Sequence, residues 1–125
     1  MMKQTYQTYK QQSVMTMTST EMLTMLYDGI LKELYLVEKA FEGKNYAEIN
    51  RGLQKVQRIL NHLKTTLDMN YDIAKNLMSL YDYFSWVVTQ ANLKKDPAKL
   101  GEVAEMITEL KESYIQADRK ARMHA

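Results

Sequence analysis

Apolar side chains recur along this chain at spacings of three and four, in four blocks parted by short polar links. The densest block is Met22 to Leu36, M-L-T-M-L-Y-D-G-I-L-K-E-L-Y-L, where ten of fifteen side chains are large and apolar or aromatic. The helical period puts Leu23, Leu26, Tyr27, Ile30, Leu31 and Leu34 in one arc, continued by Val37 and Phe41, which is the core stripe of an amphipathic helix. Met22, Met25 and Leu36 fall outside that arc, close to the angular position of Gly29. A glycine weakens a helix interior by roughly 1 kcal/mol relative to Ala and often marks close backbone approach. The helix therefore carries a second, softer strip, which either meets a partner or widens the core. Thr18 and Glu21 form a capping box at its start, and Gly43 suits a left-handed residue at its end, so the helix spans about Ser19 to Phe41.

A second capping box, Asn45 with Glu48, opens a second helix. Ile49, Leu53, Val56, Leu60, Leu63 and Leu67 follow at alternating intervals of four and three, the seam of an antiparallel bundle helix ending near Leu67. After the link D-M-N-Y-D, a third helix is predicted to turn Ile73, Leu77, Leu80, Phe84, Val87 and Ala91 inward, with Tyr81 and Val88 beside them. Met78, Tyr83 and Trp86 do not fit that face, and Trp86 shares its side of the helix with Lys75, Ser79, Asp82 and Gln90. An indole facing water points to an interaction surface, or else to a place covered by the N-terminal arm or a neighbouring copy. Asp96 and Pro97 suit the cap and first position of a fourth helix, whose buried stripe is Leu100, Val103, Ala104, Ile107, Leu110 and Tyr114.

Four helices on short links give an all-α fold, an antiparallel up-down-up-down four-helix bundle, because short links force neighbours to run antiparallel. The expected organisation is a bundle over residues 18–118, a mobile N-terminal arm over 1–17, and a basic C-terminal tail over 119–125, R-K-A-R-M-H-A, read as a frayed, solvated end. The arm is rich in Gln, Thr, Lys and Tyr and has no apolar periodicity. Within it Tyr6 and Tyr9 either dock as one short turn on a groove of the body or are incidental.

Composition narrows the chemistry. The 125 residues suffice for one domain with one core, and a single Pro with four Gly agrees with helix throughout. Without Cys there is no disulfide, thiolate ligand or cysteine nucleophile. No apolar run is long enough to cross a membrane, and the polar start M-M-K-Q-T-Y-Q-T-Y-K lacks the apolar segment of a secretion signal, so a cytosolic protein is expected. A formal charge of +2 gives no argument for nucleic acid. His62 and His124 are far apart, no Glu-x-x-His pair occurs, and carboxylates share exposed faces with lysines, as in Glu38-Lys39 and Glu109-Lys111. No metal, cofactor or catalytic site is expected from such a pattern. Histidine phosphotransfer domains are also small helical bundles, with the pattern H-x-x-K-G-[SA]. In His62-Leu63-Lys64-Thr65-Thr66 the lysine comes two residues on and Thr65 stands where it would be, so His62 reads as a surface histidine.

Four short stretches carry more specific information. Leu26-Tyr27-Asp28-Gly29 after a Thr/Ser-capped helix start, Ile73-Ala74-Lys75-Asn76-Leu77, Ser79-Leu80-Tyr81-Asp82-Tyr83 and Ala91-Asn92 resemble the flagellin-specific export chaperones of the FliS family. Their order and spacing match over nearly the whole chain, from Tyr9 to about Ala117. Two features depart from the family pattern. Its usual Ser-Pro-Glu helix start is Thr18-Ser19-Thr20 here, with the capping box in its place, and the Trp common in its last helix is Tyr114, leaving Trp86 as the only Trp.

The resemblance implies a cytoplasmic bundle, not an enzyme, that binds the disordered C-terminal segment of flagellin and prevents premature polymerisation. It also implies delivery to the cytoplasmic domain of the flagellar type III export gate, with the arm carrying Tyr6 and Tyr9 packing over part of the client surface. A disordered client loses several kcal/mol to ordering when it binds, so the surface must be long and mostly apolar. Adaptable Met side chains suit it, and the chain has ten. The expected partner-binding residues are Tyr6, Tyr9, Met22, Met25, Gly29, Leu36, Met78, Tyr83 and Trp86, on a monomer that needs no cofactor. The alternatives are a helical adaptor that regulates by binding a folded partner and, behind it, a histidine phosphotransfer domain using His62.

Overall fold

The computed structural model describes residues 19–124. The arm expected over 1–17, with Tyr6 and Tyr9, and the Thr18 half of the first capping box lie outside them. Among the described residues there are four helices and no strand: α1 Ser19–Glu42, α2 Tyr46–Thr65, α3 Asp72–Lys94 and α4 Leu100–His124. α1 packs against α2 and α4, α2 against α3, and α3 against α4. The helices thus follow one another round a ring, as an up-down-up-down bundle requires.

The core is built from the predicted stripes. Ile49, Leu53, Val56, Leu60 and Leu63 of α2 are buried, and each contributes about 1.5–3 kcal/mol by leaving water. Against them stand Tyr27, Ile30, Leu34 and Val37 of α1, Leu77, Tyr81, Phe84 and Val88 of α3, and Leu100, Val103 and Ile107 of α4. Leu23, Leu26, Leu31, Phe41, Leu67, Leu80, Leu110 and Tyr114 pack at the margin, partly buried. Ile73 departs from its predicted place: it is 64% exposed. It lies in the first turn of α3, α2 has already ended at Thr65, and Ala74 takes the inward position instead.

The helix ends show where local chemistry was redirected. α1 runs to Glu42, and its left-handed residue is Lys44 (φ 53°), not Gly43. The N–H of Asn45 donates to the Ala40 carbonyl at 2.9 Å and that of Lys44 to Phe41 at 3.1 Å. This bond pair is a Schellman ending, which puts the positive φ two residues past the last helical one. Of the second capping box only one half forms. Asn45 Oδ1 accepts the Glu48 N–H at 3.2 Å, but the Glu48 carboxylate accepts from Arg51 at 2.8 and 2.6 Å. The Asn45 N–H is already satisfied by Ala40, and a guanidinium is the stronger partner for a carboxylate. Asp96 Oδ1 caps the Ala98 N–H at 3.0 Å, and a turn at Pro97 precedes α4, which starts at Leu100. At its other end α4 stays helical through His124, where a frayed tail was expected, although the side chains at 119–123 are exposed. Arg122 is held by Asp118 one turn back, at 3.0 Å.

Two contacts fasten α1 to α2. A Cβ at Gly52 would stand 2.4 Å from Val37 Cγ2, so only glycine allows this approach. Beside it Glu33, 3% exposed, meets Arg51 at 2.8 Å and Lys55 at 3.3 Å. Burial alone would push the Glu33 carboxyl up, but hydrogen bonds from Arg51 and Lys55 outweigh it and hold the group below the ordinary carboxylate range.

Candidate interaction surface

The motif Leu26-Tyr27-Asp28-Gly29 sits at the centre of the bundle's geometry. Tyr27 is fully buried, and its hydroxyl shares a 2.6 Å hydrogen bond with that of Tyr81 on α3. Burial first, then that hydrogen bond, push the Tyr27 phenol far above its ordinary pKa, so it stays neutral. The Tyr27 ring also lies 6.2 Å from the ring of Tyr114 on α4. Asp28 pairs with Lys111 of α4 at 2.6 Å. Gly29 faces α2, where a Cβ would stand 3.3 Å from Ile59 Cδ1. Consecutive residues thus address three different helices, which explains the motif as a device of folding.

Apolar recesses open beside this centre. Near the start of α1, Met22, Leu23 and Leu26 share a recess of about 270 Å³ with Leu67, Tyr81 and Tyr114. Along α1 and α4, Leu31, Tyr35, Phe41 and Leu100 line a larger one of about 570 Å³, together with the small residues Ala98, Gly101 and Ala104 and the acids Glu38 and Glu42. Tyr35 is 59% exposed there, with the Lys39 ammonium 5.6 Å from its ring centre. A third, of about 140 Å³, lies where α3 gives way to α4, beside Trp86, Val87, Ala91 and Ala98.

The expected partner-binding residues distribute over these places. Met22 lies in the first recess, and Met25 and Leu36 are exposed on α1. Gly29 is half-buried opposite Ile59, and Met78 is half-buried on α3. Tyr83 and Trp86 come together, with rings stacked at 25° and 6.5 Å apart. The Tyr83 hydroxyl donates to Glu102 at 3.1 Å, and the Lys99 ammonium lies 5.7 Å from the indole centre. Among the described residues the structure therefore joins Tyr83 to Trp86 and Met22 to Leu23 and Leu26, but does not gather the expected set into one patch.

Sequence reasoning missed the α1–α4 recess. Leu31 and Phe41 belong to the core stripe by period, and Tyr35 falls off it. The available signal was at the start of α4 and in the turn before it, where Ala98, Gly101 and Ala104 recur every third residue and leave room beside large α1 side chains. Among the described residues, no group of His, Cys, Asp and Glu is placed to hold a metal ion. No helix of theirs is long and apolar enough to cross a membrane. His62 is exposed on α2.

The family model described as flagellar protein FliS matches residues 2–121 of this chain. The flagellar secretion chaperone FliS of Bacillus subtilis is 36% identical over 120 residues, which cover 94% of this chain and 90% of the relative. The protein of the same name from Vibrio cholerae is 35% identical over 121 residues, covering 92% and 89%. That from Salmonella typhimurium is 31% identical over 112 residues, covering 87% and 83%. Similarity at this level along nearly the full length shows that the chain belongs to the FliS family, a family of chaperones and not of enzymes.

Proposed function

We propose that this chain is a cytosolic flagellar export chaperone that holds the disordered C-terminal segment of flagellin, prevents its premature polymerisation and helps present it to the cytoplasmic domain of the type III export gate. Its relatives carry the name flagellar secretion chaperone. The observation that carries the client reading is a pair of apolar recesses beside α1, one at Met22, Leu23 and Leu26 and a larger one at Leu31, Tyr35 and Phe41 walled by α4, with Met25 exposed on the same helix. A segment without structure of its own gains affinity by laying successive apolar side chains into such a recess, at the i, i+3, i+4, i+7 spacing of a nascent helix. That burial offsets the ordering cost. No step of this reading requires ATP, so release follows from competition or hand-over at the gate. The arm over residues 1–17, with Tyr6 and Tyr9, is proposed to compete with the client for part of this surface.

A calorimetric titration with the C-terminal segment of the cognate flagellin tests the reading. Binding at micromolar concentrations or tighter is expected, and its absence there would refute the proposal. Tyr35→Glu and Met25→Glu, both at exposed positions, are expected to weaken the client about tenfold each while stability stays within about 0.5 kcal/mol. A loss of several degrees in thermal midpoint instead would assign those side chains to the core.

A further inference from the structure

The end of the bundle where α3 gives way to α4 has a chemistry of its own. Trp86, the only Trp in the chain, is 53% exposed, and Leu93 on the same helix is 75% exposed. The cleft beside the indole has apolar walls in Val87, Ala91 and Ala98, and Lys94 and Lys99 line it as well. Lys95 stands at the left-handed turn (φ 48°) and donates to Asn92 Oδ1. Among the described residues none of Lys94, Lys95 and Lys99 forms an ion pair. Of the nearby acids, Asp82 pairs with Lys64 at 2.9 Å, Glu102 accepts the Tyr83 hydroxyl, and Asp96, which itself lines the cleft, accepts the Ala98 N–H. What remains is an exposed indole and a one-side-chain cleft in which two ammonium groups outnumber the single carboxylate of Asp96.

From this juxtaposition we infer that the Trp86 cleft docks an acidic segment of a partner protein. One apolar or aromatic side chain of the segment enters the cleft against the indole, and flanking carboxylates meet Lys94 and Lys99. Charge complementarity selects this occupant. The helix end that a second copy would present, exposed at residues 119–123, is basic and would be repelled. Three lysines clustered at one turn do not make the extended basic track that nucleic acid follows. The inference goes beyond the client reading, because the charged residues lining the α1–α4 recess are acids, Glu38 and Glu42, the latter paired with Lys39 at 3.8 Å. The two recesses share Ala98, so the turn before α4 lies between a recess lined by acids and a cleft in which lysines predominate.

Because Trp86 is the only Trp, tryptophan emission excited at the red edge, where the nine Tyr do not absorb, reports on this cleft. The chain is titrated with a synthetic peptide carrying a Leu-Phe pair between glutamates, and with the same peptide carrying lysines instead. The acidic peptide is expected to shift the emission to the blue, with an affinity that falls about tenfold between low and high salt. A double variant, Lys94→Glu with Lys99→Glu, is expected to lose that response by about tenfold or more. It should keep its helical circular dichroism and its calorimetric affinity for the flagellin segment. The inference is overturned if the acidic peptide leaves the emission unmoved, or if the lysine peptide, a DNA oligonucleotide or an anionic lipid vesicle moves it as much. Loss of flagellin binding in the double variant also overturns it, by merging the two sites. A chain that answers the acidic peptide yet ignores the flagellin segment refutes the client reading alone.

Discussion

Helix α1 meets α2 on one side and α4 on another, and the two contacts use small residues to opposite ends. Toward α2, the place a side chain would fill at Gly52 is already taken by Val37 Cγ2, 2.4 Å from an added Cβ. Glu33 is buried beside it between Arg51 and Lys55. Toward α4, Gly101 has nothing within 4 Å of an added Cβ, and with Ala98 and Ala104 it lies along the recess that exposes Tyr35 and half-exposes Leu31 and Phe41. A small residue brings helices together only when something from the neighbour moves into its place. Where nothing does, it leaves apolar surface uncovered, and that surface is what the proposed client reading draws on. The closed seam supplies the rigid side against which the open one stays available.

The largest test breaks the closed seam. Gly52→Ala adds a methyl where Val37 cannot retreat, since Val37 is fully buried, at about 1–3 kcal/mol of overpacking. Better helix propensity returns roughly 1 kcal/mol of that. An approach of 2.4 Å puts the overpacking in the upper part of that range, about 2–3 kcal/mol, so a net loss of about 1–2 kcal/mol is expected, read as a lower denaturation midpoint at unchanged slope. No change would mean that α1 and α2 are further apart in solution. The Glu33 cluster gives the next effect. Glu33→Gln removes the carboxylate, but Arg51 and Lys55 are nearly half exposed and regain water, so the loss is about 1–2 kcal/mol rather than that of a fully buried pair. Its pH dependence has a fixed sign. The folded-state pKa lies below the ordinary 4.5, so this stabilisation is fully present above that value and is lost as pH falls through the folded pKa. The gap between wild type and Glu33→Gln is therefore expected to close in acid. A gap that persists unchanged would show that the carboxyl acts by its shape and not by its charge.

What the sequence made legible follows from what period can encode. The α2 stripe from Ile49 to Leu63 and the motif around Tyr27 could be read directly, because burial on one face writes a repeat of three and four. Ile73 obeyed the same repeat and is nevertheless exposed, since period says nothing about whether a neighbouring helix is long enough to stand opposite. Gly43 and the Glu48 half of its capping box failed for a related reason. Each is a sound local choice, displaced by a competing one: the Schellman bonds moved the positive φ to Lys44, and Arg51 drew Glu48 away. Nothing beside Glu33 in the sequence marks it as a buried acid, because its partners lie eighteen and twenty-two positions on. The candidate surface was legible in part. Met22, Met25 and Trp86 stood out by falling off the core face, whereas Tyr35, Leu31 and Phe41 become a recess only through the smallness of α4, a property of two helices together.

The smallest effects sharpen the comparison most, because one substitution changes sign with its surroundings. At Gly101 an added methyl meets open space, and near the start of α4 it gains helix propensity without strain. Gly101→Ala is therefore expected to raise stability by about 0.5 kcal/mol. The same methyl encroaches on the recess, so client affinity should fall while stability rises. At Gly29 the methyl would meet Ile59 Cδ1 at 3.3 Å, the far end of a side chain that can give by a few tenths of an ångström. Propensity and crowding then nearly cancel, and Gly29→Ala should change stability by less than about 0.5 kcal/mol. Client affinity should not change either if the glycine of the motif serves only the seam. Weaker client binding by Gly29→Ala at unchanged stability would instead show that the Met22, Met25 and Leu36 strip continues across the glycine, and that the client reaches over the edge of α2.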